Sequence, residues 1–488
     1  AGYNFGPQAI ARTATMTNRL PDVFSEKTVG DAKSLMDPCT TMIVGREASA
    51  HGSVLMSHNE DLESWDLATV QIVPRQAHAP GEFYRSYYGA MIPQVRETYG
   101  FTFFGCPDRD QVPGDVYFGM NEYQVTISGN FGGYPKEERD PAKPAKMIWS
   151  DFIRLALERS PTAEEAVRLI GSLVETYGLA VDPGTMYGIA DKNEGWWVET
   201  TPWHWIAVRV PDNGYMARAN QYRIETEYDP AYASADIQSF ARDKGWWDGT
   251  PPFNFRQVWT RTGYLDDPYD KLREDRIDAL LAPKVGSIRI EDLKATMRDH
   301  LEGTQQYHVD ENGSPHYDNP YRTICTERTV AGFVAEPRSF LPDPLGGLMW
   351  MNLGCPCTGA YMPLYVGTQS VPEPFTTGLP GAGNYDPASA WWTFKRLQLT
   401  IDSNYPAAIG HVRDVFATFE EASKNDSKTV EQKALAAHNA GKTQDALSIL
   451  TAFTTTKLQD GFDLLKEMTV YAEAKTHSHT GTTHVVSE

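Results

Sequence analysis

The sequence CTTMIVGREASAHGSVLMSHNED, residues 39–61, has the pattern of a β-hairpin. Residues 40–44 are rich in β-branched side chains, residues 48–52 resemble a turn, and residues 53–57 have a second strand pattern. Such a hairpin would return its Asn-Glu-Asp end to the start of the first strand, within hydrogen-bond reach of the Cys39 thiol. A cysteine at a strand start is also often a small buried hydrophobic residue, so the hairpin by itself leaves the role of Cys39 open.

The charge balance argues against two classes of partner. The chain has 488 residues, with 44 Lys and Arg against 64 Asp and Glu, and a net charge of −20. Because phosphate binding needs clustered basic residues, we expect neither nucleic acid nor anionic lipid as a partner. Hydrophobic residues make up 41% and charged residues 22%, which is typical of a globular protein. No apolar run reaches the ~18 residues of a membrane helix, so we expect no membrane insertion.

The order of strand and helix patterns predicts an α+β fold. Strand patterns recur in residues 115–130, 186–219 and 329–366, and helical patterns occur in residues 147–174 and through the last hundred residues. Strands followed by runs of helices favour α+β layers over a repeated βαβ unit. The expected parts are a leader or propeptide at 1–38, a main domain at 39–385, a helical C-terminal extension at 386–474 and a flexible tail at 475–488.

An ordered set of short matches resembles peptidase family C69. These dipeptidases are N-terminal-nucleophile (Ntn) hydrolases related to choloylglycine hydrolase and penicillin V acylase. The family opens its mature chain with Cys-Thr-Thr, as at residues 39–41, and carries an Asn-Glu-Asp segment soon afterwards, as at residues 59–61. Similar stretches follow in the family's order, namely GMNEY at 119–123, SGN at 128–130, YGIADK at 187–192, WVET at 197–200, AVRVPD at 207–212, ANQ at 219–221, residues 322–334 and GGLMW at 346–350.

The resemblance implies a fold and a mechanism. The fold would be an Ntn-hydrolase αββα sandwich, two antiparallel sheets between helical layers, with a helical C-terminal extension. The activity would be cleavage of a short peptide by the Cys39 thiol, after autocatalytic scission exposes the α-amine of Cys39. That amine, with an ordinary pKa of about 7.7–8, would act as the base, and the acyl-thioester would then hydrolyse.

The resemblance also implies roles for four further residues. Asp61 would hold the amine or the thiol, and Asn130 would help form the oxyanion hole with its side-chain N–H donors. Asn220 would position the amine or the substrate, and Arg322 is the candidate for the family's distal arginine. An Asn in a turn is also an ordinary turn former, so both asparagines have a purely structural alternative.

His58 stands where members of the family mostly have Arg. An arginine would stabilise the thiolate by permanent charge, whereas His58 can do so only when it is protonated. The sequence therefore predicts a site whose activity depends more strongly on pH.

Two alternatives to a dipeptidase remain. One is an Ntn amidase that acts on N-acyl amino acids or similar amides. The other is a non-catalytic Ntn-fold protein for binding or assembly, whose Pro38–Cys39 bond stays uncut and which therefore lacks the base. The expected partner is a small peptide or amide substrate, and homo-oligomerisation is left open.

The remaining cysteines predict disulfides rather than a metal site. If Cys39 is a working thiol, four cysteines remain, enough for two bridges in an oxidising compartment. A bridge from Cys355 or Cys357 to Cys325 or Cys106 is the expected pairing. The Cys-Pro-Cys segment lacks the second pair of a zinc motif, and no ligand-rich loop surrounds the tail histidines, so no metal or other cofactor is expected. The numbering from Ala1 predicts that an upstream segment was removed, and the composition suggests a secreted or periplasmic enzyme.

Overall fold

The computed structural model describes residues 39–62, 66–106, 114–180, 183–317, 319–378 and 385–483. The leader predicted at residues 1–38 lies outside these residues. The strands are β1 Thr40–Val44, β2 Leu55–Asp61, β3 Thr69–Val73, β4 Gln76–Ala77, β5 Phe83–Arg85, β6 Met91–Pro93, β7 Glu97–Thr98, β8 Phe101–Gly105, β9 Val116–Asn121, β10 Thr126–Gly132, β11 Gly184–Ala190, β12 Gly195–Thr200, β13 Trp205–Arg209, β14 Tyr215–Arg218, β15 Thr329–Glu336, β16 Leu348–Leu353 and β17 Met362–Tyr365.

Helices follow β10 and β14 and fill the C-terminal region. They are α1 Trp149–Arg159, α2 Ala163–Tyr177, α3 Ile237–Asp243, α4 Phe255–Trp259, α5 Pro268–Leu281, α6 Ile290–Met297, α7 Asp343–Gly346, α8 Glu373–Thr376, α9 Ala390–Asp402, α10 Tyr405–Asn439 and α11 Thr443–Thr483, with 3-10 helices at Pro230–Tyr232 and Ala282–Lys284. The side chain of Thr162 caps the N-terminus of α2, because its hydroxyl accepts from the amide of Glu165 at 3.2 Å. None of the described helices is both long and apolar enough to span a membrane.

Two antiparallel sheets dominate the fold. The first sheet has the order β14-β1-β2-β15-β16-β17, and the second has the order β13-β12-β11-β10-β9-β8-β3. Alternation along β1 sends Ile43 into the core between the sheets, and Met42 and Val44 into the core on the outer face. The core between the sheets also contains Phe333 of the first sheet and Phe118 of the second.

Helices cover both outer faces. Phe152 of α1 and Ile170 of α2 pack on the second sheet, while Ile277 of α5 and Leu293 of α6 pack on the first. The predicted α+β sandwich of two antiparallel sheets between helical layers is therefore confirmed.

The C-terminal helices share these cores. Trp391 of α9 and Phe462 of α11 belong to the core between the sheets, and Leu450 of α11 packs into the outer core of the first sheet. The segment predicted as an extension thus buries its apolar face against the main domain. Helix α11 also continues to Thr483, beyond residue 475, where the sequence predicted a loose tail.

The predicted disulfides are wrong for this structure, in which all five cysteines carry free thiols. Cys106 lies against the hydroxyl of Tyr117 at 3.2 Å, in the core between the sheets. Cys325, Cys355 and Cys357 form a separate buried cluster. Cys106 is therefore in a different part of the fold from its expected partners.

Strand β1 lies between β2 and β14, and this placement fixes the surroundings of residue 39. Thr40 pairs with Asn59 of β2, and Thr41 pairs with Arg218 of β14. Continued by one and two residues, these registers set Cys39 between Glu60 on one side and Asn220 on the other.

The end of β10 approaches Asn220 so closely that it requires glycine. Gly132 has φ +146°, and a Cβ atom there would lie 1.9 Å from the backbone oxygen of Asn220. That oxygen accepts from the Gly133 amide at 3.0 Å. The two sheets are therefore tied together beside residue 39 by main-chain contact.

We expect Gly132→Ala to lower the free energy of unfolding by about 1–3 kcal/mol, because either β10 or the Asn220 segment must shift. Gly410→Ala is the matched control, since Gly410 lies on the exposed face of helix α10 with open space around its Cα. The Gly410→Ala change should raise the free energy of unfolding by about 0.5–1 kcal/mol. Urea unfolding of both variants checks the pair, and equal stabilities would contradict the close approach.

Candidate active site

The Cys39 thiol lies against the end of β2, as the hairpin pattern predicted. Cys39 is 1% exposed, and its Sγ atom is 3.7 Å from Oε1 of Glu60 and 4.0 Å from the backbone oxygen of Asp61. The nearby carboxylate belongs to Glu60 because successive side chains of a strand face opposite sides, and Glu60 is opposite Cys39. Asp61 contributes its carbonyl, while its carboxylate accepts from the hydroxyl of Thr329. The holding role expected of the Asp61 carboxylate stays a prediction.

A chain of hydrogen bonds leads from the thiol to the second sheet. The Glu60 carboxyl Oε2 is 2.7 Å from Nε2 of His58, and Nδ1 of His58 is 2.6 Å from the Thr41 hydroxyl. Thr41 donates to Oδ1 of Asn130 at 2.7 Å. We call the side chains of Cys39, Glu60, His58, Thr41 and Asn130 the polar chain. All five are buried between the two sheets, so each hydrogen bond is shielded from water.

The donors in the polar chain determine where its protons lie. Asn130 Nδ2 donates to the carbonyls of Arg218 and Ala219, at 3.2 and 2.9 Å, so Oδ1 must face Thr41. Thr41 has one hydroxyl proton, which it gives to Asn130, and it therefore accepts from Nδ1–H of His58. One further proton then lies between Nε2 of His58 and Oε2 of Glu60.

This arrangement corrects the expectation for His58. The imidazole is fully buried and lies 5.5 and 6.1 Å from the rings of Phe118 and Phe333. Burial lowers the pKa of His58 to about 3, so the ring is neutral near pH 7 and supplies no cation to the thiolate.

The permanent cation near Cys39 comes from Arg273 on α5, a residue that the sequence reasoning did not select. Its Nη1 donates to the Cys39 carbonyl at 2.8 Å and to the Thr40 hydroxyl at 2.9 Å. Its Nη2 donates to Oδ1 of Asn220 at 2.8 Å and to Asp270 at 2.6 Å. Arg273 has no exposed surface, so its charge is compensated by buried neighbours and not by water.

A signal for Arg273 was present in the sequence. Arg273, Ile277 and Leu281 recur at helical spacing and form the buried stripe of α5, and a charge on such a stripe indicates a buried partner. Arg322, the residue chosen instead, lies over the ring of Tyr269 at 6.0 Å, in the first turn of the same helix.

The two predicted asparagines lie beside the nucleophile strand, and both are engaged by the backbone. Asn220 Nδ2 donates to the carbonyl of Phe131 at 2.6 Å, which joins the Asn220 segment to β10. The bonds from Asn130 Nδ2 to two carbonyls occupy both of its protons. Donation from Asn130 to an oxyanion stays a prediction, and it would require these bonds to exchange.

Glu199 on β12 fixes the chain just after Asn220. Its carboxyl accepts from the amides of Arg223 and Ile224, at 2.7 and 3.2 Å. Burial raises the pKa of Glu199 from 4.5 to about 7, although Arg218 and the two amides act in the opposite direction. This carboxyl therefore holds its proton to a higher pH than an ordinary glutamate does.

Cys39, His58 and Glu60 could also gather around a metal ion, since one donor atom of each lies within 4.8 Å of the others. A thiophilic ion there would occupy the sulfur lone pair that a nucleophile needs. These three residues therefore fit inhibition by such an ion better than a resident cofactor.

We expect Thr41→Val to break the polar chain, because valine has nearly the same shape and no hydroxyl. His58 and Asn130 each lose a buried partner, which should lower the free energy of unfolding by about 1–3 kcal/mol per group. Because Glu60 then loses its support, we expect catalytic efficiency to fall at least about 10-fold. Thr41→Ser keeps the hydroxyl and should retain most activity. Unfolding and kinetic measurements on both variants check this. Equal stability and equal activity of the two variants would show that the polar chain is unimportant.

We expect Glu199→Gln to change the pH dependence of stability. Between pH 4.5 and 7 the folded protein keeps a proton on Glu199 that the unfolded chain has released, so this contribution is complete below pH 4.5 and is lost as pH rises through 7. The wild type should therefore lose up to about 3 kcal/mol relative to the variant over this interval. Urea unfolding at several pH values measures the difference, and parallel curves would contradict it.

Comparison with known proteins gives a consistent family. A probable dipeptidase of Latilactobacillus sakei is 27% identical over 444 residues, covering 86% of this chain and 91% of that protein. A probable dipeptidase of Salmonella dublin is 27% identical over 361 residues, covering 67% and 81%. A dipeptidase of Bifidobacterium longum is 25% identical over 448 residues, covering 81% and 79%.

Solved structures of amide hydrolases are more distant. Penicillin V acylase from Agrobacterium tumefaciens matches 67% of this chain and 86% of its own, with 13% identity and a TM-score of 0.38. A mutant conjugated bile acid hydrolase from Clostridium perfringens matches 71% and 96%, with 13% identity and a TM-score of 0.39. Superpositions this loose say nothing about the site. The model of peptidase family C69, by contrast, matches residues 38–417, and the chain therefore belongs to peptidase family C69.

Proposed function

We propose that the protein is a dipeptidase that cleaves short peptides with Cys39 as its nucleophile. Membership of a peptidase family and the three relatives named as dipeptidases or probable dipeptidases support the activity. The observation that carries the assignment of Cys39 is its environment, with Glu60 at its sulfur and Arg273 at its carbonyl.

The base in this proposal is the α-amine of Cys39, made available by autocatalytic scission of the Pro38–Cys39 bond. The amine takes the thiol proton, and the sulfur attacks the peptide carbonyl to give a tetrahedral intermediate. The C–N bond then breaks, the leaving amine takes the proton, and a thioester remains. Water cleaves the thioester, releases the acid and restores the thiol.

The buried side chains position this nucleophile. Arg273 donates hydrogen bonds to the carbonyl of Cys39 and to the hydroxyl of Thr40. The residue that carries both the sulfur and the amine is therefore held together with its neighbour. Glu60 faces the sulfur, with Oε1 at 3.7 Å from Sγ. His58 keeps Glu60 in place through the 2.7 Å hydrogen bond between Nε2 and Oε2.

The expected location of the enzyme is secreted or periplasmic, a proposal that rests on composition alone.

The main alternative substrate class is N-acyl amino acids. The non-enzymatic alternative, an intact chain used for binding or assembly, differs from both in the fate of the Pro38–Cys39 bond.

We expect Cys39→Ser to lower dipeptide hydrolysis by about 10³-fold or more and to impair the loss of residues 1–38. Cys106→Ser is the matched control, because Cys106 is also buried but lies against Tyr117, and it should keep wild-type activity. Intact mass and N-terminal sequencing, with a panel of dipeptides and N-acyl amino acids, provide the measurement.

The outcomes separate the candidates. Hydrolysis of dipeptides by protein that begins at Cys39 supports the proposal, and a preference for N-acyl amino acids would replace dipeptidase by amidase. Full activity in the Cys39→Ser variant would refute the nucleophile. An intact, inactive wild-type chain would favour a binding or assembly protein.

A further inference from the structure

A second group of sulfur and imidazole side chains lies away from the polar chain. It consists of His300, His316, Cys325, Cys355 and Cys357, which we call the His/Cys cluster. All five residues are at most 4% exposed. They come from the loop after α6, the end of that loop before β15, and the turn after β16. Residues distant in sequence thus converge on one buried point.

The donor atoms in the cluster are close together. His316 Nε2 is 3.1 Å from Nε2 of His300, 3.3 Å from Sγ of Cys355 and 3.2 Å from Sγ of Cys357. The Sγ atom of Cys355 is 3.3 Å from that of Cys325 and 3.6 Å from that of Cys357. One donor atom each of His300, His316, Cys325 and Cys357 lies within 4.8 Å of the other three.

These separations, from 3.1 to 3.6 Å, are close to those around a tetrahedral zinc ion and slightly shorter. With Zn–S near 2.3 Å and Zn–N near 2.0–2.1 Å, ligand atoms lie roughly 3.3–3.8 Å apart. Weakly polar thiols gain little by crowding around imidazole nitrogens, whereas a shared cation gives such crowding a physical reason.

Both histidines are oriented as zinc ligands are. Nδ1 of His316 is 2.7 Å from Oδ1 of Asp402, and Nδ1 of His300 is 2.9 Å from Oε1 of Glu302. Each carboxylate therefore holds the proton on Nδ1 and leaves Nε2, which faces the cluster, as the donor for a metal. Asp402 is itself fixed by the hydroxyl of Ser314 at 2.9 Å. Two independent carboxylate–histidine pairs aimed at one point are the observation that separates a metal site from a chance group of thiols.

We propose that the His/Cys cluster binds one structural zinc ion. Thiolates and imidazoles together favour zinc over the oxygen-seeking magnesium and calcium ions. A buried site with enough protein donors to complete a tetrahedron leaves no open position for a substrate, as is typical of structural zinc. Four of the five donors bind at one time, and His316 and Cys355 each contact three of the others.

The ion would connect the loop after α6 to the rest of the fold. Arg298 already donates to the carbonyl of Pro356 at 2.9 Å, and the amide of Cys325 donates to the carbonyl of Asp299. Asn59 of β2, the neighbour of Glu60, donates to the carbonyl of Ile324 at 2.9 Å. Loss of zinc should therefore loosen a loop that supports the strand beside the nucleophile.

The test measures metal content and stability in the full-length protein purified under reducing conditions. We expect about one zinc per chain by elemental analysis, and cobalt substitution should give a thiolate-to-metal charge-transfer band. Cys39→Ser should keep the ion, because Cys39 is outside the cluster. Cys357→Ser together with His316→Ala should lose it and lower the melting temperature.

The Asp402→Asn variant tests the proposal even if the double variant fails to fold. It retains all five donors and should weaken zinc binding about 10- to 100-fold in a competition with a chelator. Wild-type protein that takes up no zinc when it is supplied, or that contains a disulfide among Cys325, Cys355 and Cys357, would overturn the proposal. Zinc that disappears in Cys39→Ser and persists in the cluster variants would place the ion at the active site instead. None of these readouts depends on peptidase activity, so this proposal and the proposed function fail separately.

Discussion

The buried guanidinium of Arg273 is the interaction around which the site is organised. A fully buried cation is tolerated only when its donors are satisfied, and removal of one partner from such an arrangement typically costs about 3–5 kcal/mol. The two Nη atoms of Arg273 donate to groups from the start of β1, from the segment after β14 and from its own helix. The placement of Cys39 is thus coupled to the placement of Asn220 and of α5. Asp270, whose pKa is raised by its own burial, provides the opposite charge.

The hairpin and the strands in residues 115–130, 186–219 and 329–366 could be predicted from local patterns, whereas the arrangement of two sheets was implied by the resemblance to the family. Alternation and β-branched residues locate the strands, and a short hairpin leaves little freedom in which residue faces Cys39. The same alternation favoured Glu60 over Asp61 at the sulfur, although the resemblance to the family directed attention to Asp61. His58 was correctly placed near the site, but its ionisation depends on the rings of Phe118 and Phe333, which come from other strands and leave no mark in the local sequence.

The residues that sequence reasoning missed have long-range partners. Arg273 lies 234 residues from Cys39, and only its position on an apolar helical stripe indicated burial. The His/Cys cluster draws its donors from three separate segments, and only the Cys-Pro-Cys segment at residues 355–357 forms a recognisable local element. Zinc motifs are found in sequences when paired ligands share one turn. Here the pairing is made by the fold, so the same cysteines suggested disulfides.

The two sulfur sites illustrate how one residue type acquires two roles within one chain. A nucleophile must keep a lone pair available, and the neighbours of Cys39 lie at 3.7 and 4.0 Å, close enough to orient the sulfur and too far to bind it strongly. In the His/Cys cluster the imidazole nitrogen of His316 is 3.2 and 3.3 Å from two sulfurs, and each sulfur has several donor atoms around it. A metal ion satisfies several converging donors at once, whereas Cys39 offers a single sulfur. The number of donors around each sulfur therefore separates the proposed zinc site from the proposed catalytic site, although both lie in the interior of one fold.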